Sequence, residues 1–285
     1  MTTDAFKRIM ENDYAVEILS EPDTALITAV ENVFHLAGKH NQQSHAHGTG
    51  GISTVSGGEL KAGRKNFDRR EGGAKRKGGA LDQATAGDAS TQAAMSNYAG
   101  SVGYYDVNQG LRNAHGNLDE VVIPPPRRIK GNPSPFEDNE HLRTTIADLD
   151  AGMASHHTTE DIIVHRVVGH PATAFGSHFD RSNERRGAND GLTWTEHGFT
   201  STTTGGESEM AMQRIRLRGG QGVEYPPVET MSMKILVPKG SHALKGHVDL
   251  EQEIVLDRSS KFRIVNDYGY NDDENTWEMD VELVM

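Results

Sequence analysis

Near the C-terminus, Trp277, Met279, Val281 and Leu283 alternate with Glu278, Asp280 and Glu282. Successive side chains of an extended strand point to opposite faces, so this segment must bury one face and wet the other. Met233, Ile235 and Val237 repeat the two-residue period around Lys234 and Leu236 until Pro238-Lys239-Gly240 breaks the run. Ile254-Val255-Leu256 and Phe262-Arg263-Ile264-Val265 are shorter apolar runs, and Ile162-Ile163-Val164 leads into His165-Arg166-Val167-Val168. Helical spacing comes earlier in the chain. Leu142, Ile146, Leu149 and Met153 stand at i, i+4, i+7 and i+11, one face of an amphipathic helix. Tyr98, Val102 and Tyr105 also recur at helical spacing, interrupted by Gly100 and Gly103. Helices followed by strands favour an α+β fold over a doubly wound α/β sheet.

Texture divides the 285 residues into three parts. Residues 1–37 scatter Ile18, Leu26, Ile27, Val30, Val33 and Phe34 in a loose pattern that suits a short helix or hairpin. Residues 38–90 are dominated by glycine, polar and basic residues; a segment so poor in large apolar side chains is expected to be a flexible linker, because burial cannot offset its chain entropy. Residues 91–285 carry the globular pattern. The formal net charge of −12 argues against nucleic acid or an anionic membrane as the principal partner. With no cysteine, disulfides, thiolate catalysis and Cys-ligated zinc are excluded. No apolar run has the length of a membrane span, and the first residues lack the basic and apolar regions of a Sec-type signal.

Three pieces could carry chemistry. Arg166 interrupts an apolar strand; a planar fork of donors there suits a phosphate or diphosphate, although a lone strand arginine more commonly makes a structural ion pair. Phe199-Thr200-Ser201-Thr202-Thr203 offers hydroxyls that could orient a carboxylate or a sugar, although Ser/Thr-rich edge strands without chemistry are common. Glu251 and Glu253 stand two apart before an apolar strand, where both carboxylates would share a face. That spacing is unspecific in so acidic a chain, since Glu207/Glu209 and Asp148/Asp150 repeat it.

Taken together, their order resembles the arginine-serine-glutamate class of ADP-ribosyltransferases, which includes clostridial binary toxins, insecticidal toxins, phage enzymes and vertebrate ecto-enzymes. Asp161 to Arg166 is similar to the family's arginine strand, Phe199 to Thr203 to its aromatic-X-Ser-Thr-Ser motif, and Glu251-Gln252-Glu253 to its Glu-X-Glu motif. Met233 to Gly240, Asp257 to Val265, and Tyr104, Asn108, Leu111 and Arg112 resemble its flanking segments, so the likeness spans about residues 90–285. The resemblance implies a catalytic domain over 91–285 with two packed, mostly antiparallel β-sheets flanked by helices around an NAD⁺ cleft. It further implies NAD⁺ as co-substrate, no metal, and a target protein with an exposed arginine. Glu253 would stabilise positive charge on the ribose, Ser201 would hold Glu253 and the sugar, and Arg166 would bind the phosphates. Val167 and Thr202 would also touch NAD⁺, and Glu251 would orient and deprotonate the incoming guanidinium. Thr203 stands where the family has serine. A second phosphate-binding arginine is expected among Arg214, Arg216 and Arg218, and no aromatic residue lies between Gly205 and Gly222, Tyr225 being the nearest. Two rival readings stay open: an NAD⁺ glycohydrolase, and a phage structural protein carrying a degenerate NAD⁺-binding module.

His40, His45 and His47 lie in a Gly/Gln/Ser stretch without the fixed geometry a metal site needs. His156-His157 reads as a helix end. The basic series Lys61, Arg64, Lys65, Arg69, Arg70, Lys75, Arg76 and Lys77 reads as a solvated linker. His35 to His45 resembles segments of phage head-associated proteins, which would imply phage origin, capsid association, and a location in the host cytoplasm or the virion.

Overall fold

The two-residue apolar period resolves into strands whose inward rows share a core. A computed structural model describes residues 49–74, 88–99, 102–125, 134–169, 175, 178–180, 186–204, 230–246 and 253–285. In chain order the elements are β1 (Thr49–Thr54), α1 (Gly57–Ala74), α2 (Ala89–Ala99), α3 (Gly103–Asn113), a 3₁₀ turn (Leu118–Glu120), α4 (Asn139–Ser155), β2 (Ile162–Gly169), β3 (Leu192–Glu196), β4 (Thr200–Thr203), β5 (Thr230–Val237), β6 (Ala243–Lys245), β7 (Glu253–Leu256), β8 (Ser260–Asn271) and β9 (Thr276–Val284). This is the expected α+β order. Among the described residues no helix is long and apolar enough to cross a membrane.

Hydrogen bonds link the strands in the order β1-β3-β8-β9-β5-β2-β4-β7-β6. All neighbours are antiparallel except β5 and β9. Two packed sheets were expected, and the ladder is continuous, but it has a hinge. A single residue pair, His165↔Thr203, joins β2 to β4. About that joint the smaller group β4-β7-β6 folds over the larger one. Ile254 and Leu256 of β7 lie in one core with Ile162 and Val164 of β2, Ile235 of β5 and Met279 of β9. Alternation then sends the intervening side chains outward to helices. Val255 of β7 packs with Leu111 of α3 and with Leu142, Ile146, Leu149 and Met153 of α4. Leu236 and Val265 pack with Phe67 of α1 on the far side of the larger group. The layers therefore run helix, strands, strands, helices.

The anticipated amphipathic helix is α4. Asp138 caps it by accepting from the His141 amide at 2.8 Å, and it ends at His156, whose Nδ1 lies 2.8 Å from the Gly152 carbonyl. The helical spacing around Tyr98 and Tyr105 belongs to two helices, α2 and α3. Gly103, which opens α3, passes so close to the Asn97 carbonyl that a Cβ would overlap it.

The linker expectation fails over residues 49–74. β1 adds an edge strand to β3, and α1 lies across the outer sheet face. Composition misled because α1 docks by polar links around one apolar anchor. Phe67 is wholly buried. Arg64 ion-pairs with Asp190 and donates to the Val265 carbonyl at 2.7 Å. Asn66 donates to Glu282 at 3.0 Å, and Glu71 meets Lys234 at 3.1 Å. Of the basic series, Arg70 pairs with Asp161 at 3.5 Å, while Lys75, Arg76 and Lys77 lie outside the described residues. The readings made for residues 1–48, including His40, His45 and His47, also fall outside them.

Candidate active site

The strands that carry Arg166 and Ser201 meet at His165↔Thr203 and make no further pair, although β2 continues to Gly169 and β4 reaches back to Thr200. Arg166 stands on β2 just past that joint, with Val167 after it. Its Nη1 donates to the Ser201 carbonyl at 3.2 Å, tying the two diverging strands together. Its neighbour Val167 is buried.

The β4–β7 register sets Thr203 opposite Glu253 and Ser201 opposite Val255. Ser201 and Glu253 are thus diagonal neighbours on one face, within side-chain reach. The Ser201 hydroxyl donates to Glu253 Oε1. Glu253 opens β7, where the Gly246 amide donates to its carbonyl at 2.9 Å and closes the β6–β7 hairpin. A side chain at position 246 would collide with the Glu253 carboxylate, so glycine alone lets the chain pass there.

Thr202 is placed differently. Strand alternation turns it to the opposite face, it is buried, and its hydroxyl donates to the Ile254 carbonyl at 2.7 Å. Its side chain is therefore a strand tie and does not join Ser201 and Glu253. Thr203, also buried, pairs with both His165 and Glu253. Glu251, Arg214, Arg216, Arg218 and Tyr225 lie outside the described residues. No group of three or more metal-ligating side chains occurs among the described residues.

Two site residues were not singled out from sequence. Tyr98 of α2 is wholly buried. Burial pushes its phenol well above the usual value, with the Asn108 hydrogen bond and then Arg166 working against that shift and Glu253 adding to it. It accepts from Asn108 Nδ2 at 3.1 Å and packs edge-on against Phe199 at 5.8 Å. Glu196 ends β3 and receives Arg112 of α3 twice, Nε to Oε1 at 2.9 Å and Nη2 to Oε2 at 3.2 Å. Burial opposes its ionisation, but Arg112 and then Arg166 overcome that and hold its pKa below the usual carboxylate value. No short motif marks Glu196. Its partner is 84 residues away, so only folding reveals it.

The pieces make a carboxylate oriented by a hydroxyl, on a strand whose backbone is held by the strand arginine. A model of the ADP-ribosyltransferase exoenzyme family matches residues 73–283. No curated relative matches the sequence. Among solved structures, the chain is similar to the Clostridium limosum C3 exoenzyme at 16% identity, covering 82% of this chain and 98% of that one with a TM-score of 0.46. It is similar to C3stau2 from S. aureus, solved with NAD, at 14% identity over 77% and 95% of the two chains with a TM-score of 0.48. It is similar to an ADP-ribosyltransferase from Clostridium botulinum at 13% identity over 80% and 96% with a TM-score of 0.45. On the family match, which spans most of its length, the chain belongs to the ADP-ribosyltransferase exoenzyme family.

Proposed function

We propose that the protein is a mono-ADP-ribosyltransferase that uses NAD⁺ as co-substrate and arginine side chains of a target protein as acceptor. The observation that carries the reading is the Ser201 hydroxyl donating to the Glu253 carboxylate, on a strand whose Ser201 carbonyl is held by Arg166. Breaking the nicotinamide–ribose bond sends the bonding pair out with nicotinamide and leaves positive charge on the ribose, as in glycoside cleavage. A fixed carboxylate stabilises that charge where it develops, and here Glu253 is the candidate, oriented by Ser201. Arg166 offers the forked donors that a diphosphate accepts. A guanidinium is a poor nucleophile while protonated. Glu251 would take its proton as the new bond from the guanidine nitrogen to the ribose carbon forms. The assignment of Glu251 and of arginine as acceptor rests on the sequence resemblance.

The test is nicotinamide release from NAD⁺ with and without agmatine, an arginine analogue, together with Glu253→Gln and Glu251→Gln. Release is expected to need Glu253, and labelled agmatine to appear only when Glu251 is present. Release that ignores agmatine and leaves no adduct would make the protein an NAD⁺ glycohydrolase. NAD⁺ left intact by the wild type would favour the binding-module reading.

A further inference from the structure

We propose that Glu196 is a positioning residue for this reaction, a clamp through which helix α3 sets the register of strand β4 and so delivers Ser201 to Glu253. The proposal rests on the NAD⁺-dependent reading above for its kinetic arm only.

The turn between β3 and β4 is held at two consecutive amides. Gly198 N–H donates to Glu196 Oε1 at 2.9 Å, and Phe199 N–H donates to Asn108 Oδ1 at 2.8 Å. Neither acceptor is free to wander. The Glu196 carboxylate is gripped at both oxygens by Arg112, and the Asn108 amide donates to the buried Tyr98 hydroxyl. Arg112 and Asn108 stand four apart on α3, so one helix face supplies the anchor for Glu196 and the second acceptor. Ser201 follows two residues after Phe199. Its hydroxyl meets Glu253, and its carbonyl meets Arg166. Slack at Gly198 would therefore pass directly to both contacts. Arg166 also acts electrostatically on Glu196, so the clamp lies within the field of the site it sets.

A plain structural ion pair would need only the charge of Glu196. A clamp needs its reach. Glu196→Asp keeps the charge and withdraws the acceptor from Gly198. Glu196→Gln keeps the acceptor for Gly198 and for Arg112 Nε, and removes the charge together with the acceptor for Arg112 Nη2. With the full chain and saturating NAD⁺, Glu196→Asp should lower kcat for nicotinamide release by at least about tenfold, because small misplacements of reacting groups are costly. Its KM for NAD⁺ should move far less, as expected for an effect on chemistry rather than on binding. Glu196→Gln should melt earlier yet keep kcat within about threefold. Amide hydrogen exchange of residues 197–203 should accelerate in the Asp variant and stay slow in the Gln variant. Wild-type kcat and exchange in Glu196→Asp would overturn the clamp, as would a loss in Glu196→Gln equal to that in Glu196→Asp. Should the Asp variant not fold, the Gln variant still decides: retained kcat with slow exchange supports the clamp, and loss of either refutes it. If the wild type releases no nicotinamide, the functional reading falls, and the exchange measurement alone judges the clamp.

Discussion

Ser201 and Arg166 act through hydrogen bonds of defined geometry, so conservative changes there are informative. Removing a hydrogen bond to a charged group costs about 1.5–3 kcal/mol, which corresponds to roughly ten- to hundredfold in rate when the bond matters in the transition state. Ser201→Ala should lower kcat by that order with the protein still folded. Arg166→Lys keeps the charge and loses the planar fork, so kcat/KM for NAD⁺ should fall by a similar factor. Both are read by initial-rate nicotinamide release. His197, in the turn beside the clamp, titrates in a useful range. Burial holds its pKa below 6.5, with Glu196 opposing that shift and His115 and Arg112 adding to it. The unfolded chain therefore binds its proton first, and the stability it contributes, complete above pH 6.5, drains as pH falls below that value. Glu196 has the same sign lower down: its contribution is complete above 4.5 and is lost as pH falls through its depressed value. Asp106, raised by burial, and Asp257, raised by burial and then by Asp150, act in the opposite sense. Melting curves of wild type and His197→Gln between pH 8 and 5 should therefore diverge progressively below about pH 6.5, the wild type losing more.

At the scale of elements, α1 is the test of how composition misleads. Its start is written locally. Ser56 and Glu59 form a capping box, with the Glu59 amide donating to Ser56 Oγ at 3.3 Å and the Ser56 amide to Glu59 Oε2 at 3.0 Å. That Ser-X-X-Glu signal stands in the sequence, inside a stretch whose apolar content argued for a linker. Docking then depends on Phe67. Phe67→Ala should cost about 3–5 kcal/mol, the usual range for a buried phenylalanine. It should also make α1 the first site of limited proteolysis. The polar links around Phe67, notably Arg64–Asp190 and Lys234–Glu71, should leave the variant more salt-sensitive than the wild type, in which the apolar anchor still holds the helix. The β5 strand shows the converse case. Its alternation placed Met231, Met233, Ile235 and Val237 inward, and Lys234 outward toward Asp280 at 2.8 Å.

For the whole molecule, the single His165↔Thr203 joint shapes the candidate site. It lets one ladder fold into two layers over a common core and leaves Arg166 and Ser201 on strands that part from each other. A ligand bridging such parted strands binds the folded state alone. NAD⁺ at a hundred times its Kd should stabilise the protein by about 2.7 kcal/mol. For a domain of this size that is a melting shift of roughly 5–10 °C, readable by thermal denaturation. Ser201→Ala should keep most of that shift, and Arg166→Ala should lose much of it, because in the proposed function only the latter removes a donor to the diphosphate.

The sequence by itself determined the strands β2, β5, β7, β8 and β9 and the helix α4, and it named Arg166, Ser201 and Glu253 as candidates that the fold then brings together. These follow from local periods and from residue types whose order alone resembled a known constellation. Folding decided everything that depends on distant partners. It converted a polar stretch into α1 because Lys234 of β5, Glu282 of β9 and Asp190 before β3 were waiting for it. It turned Thr202 away from the carboxylate because neighbouring strand residues face opposite sides. It brought Tyr98 to the site and closed Glu196 on Arg112 across 84 residues. A local pattern can report which face of an element is apolar. It carries no record of which remote polar group will satisfy a buried charge, since that choice is made only when the layers meet.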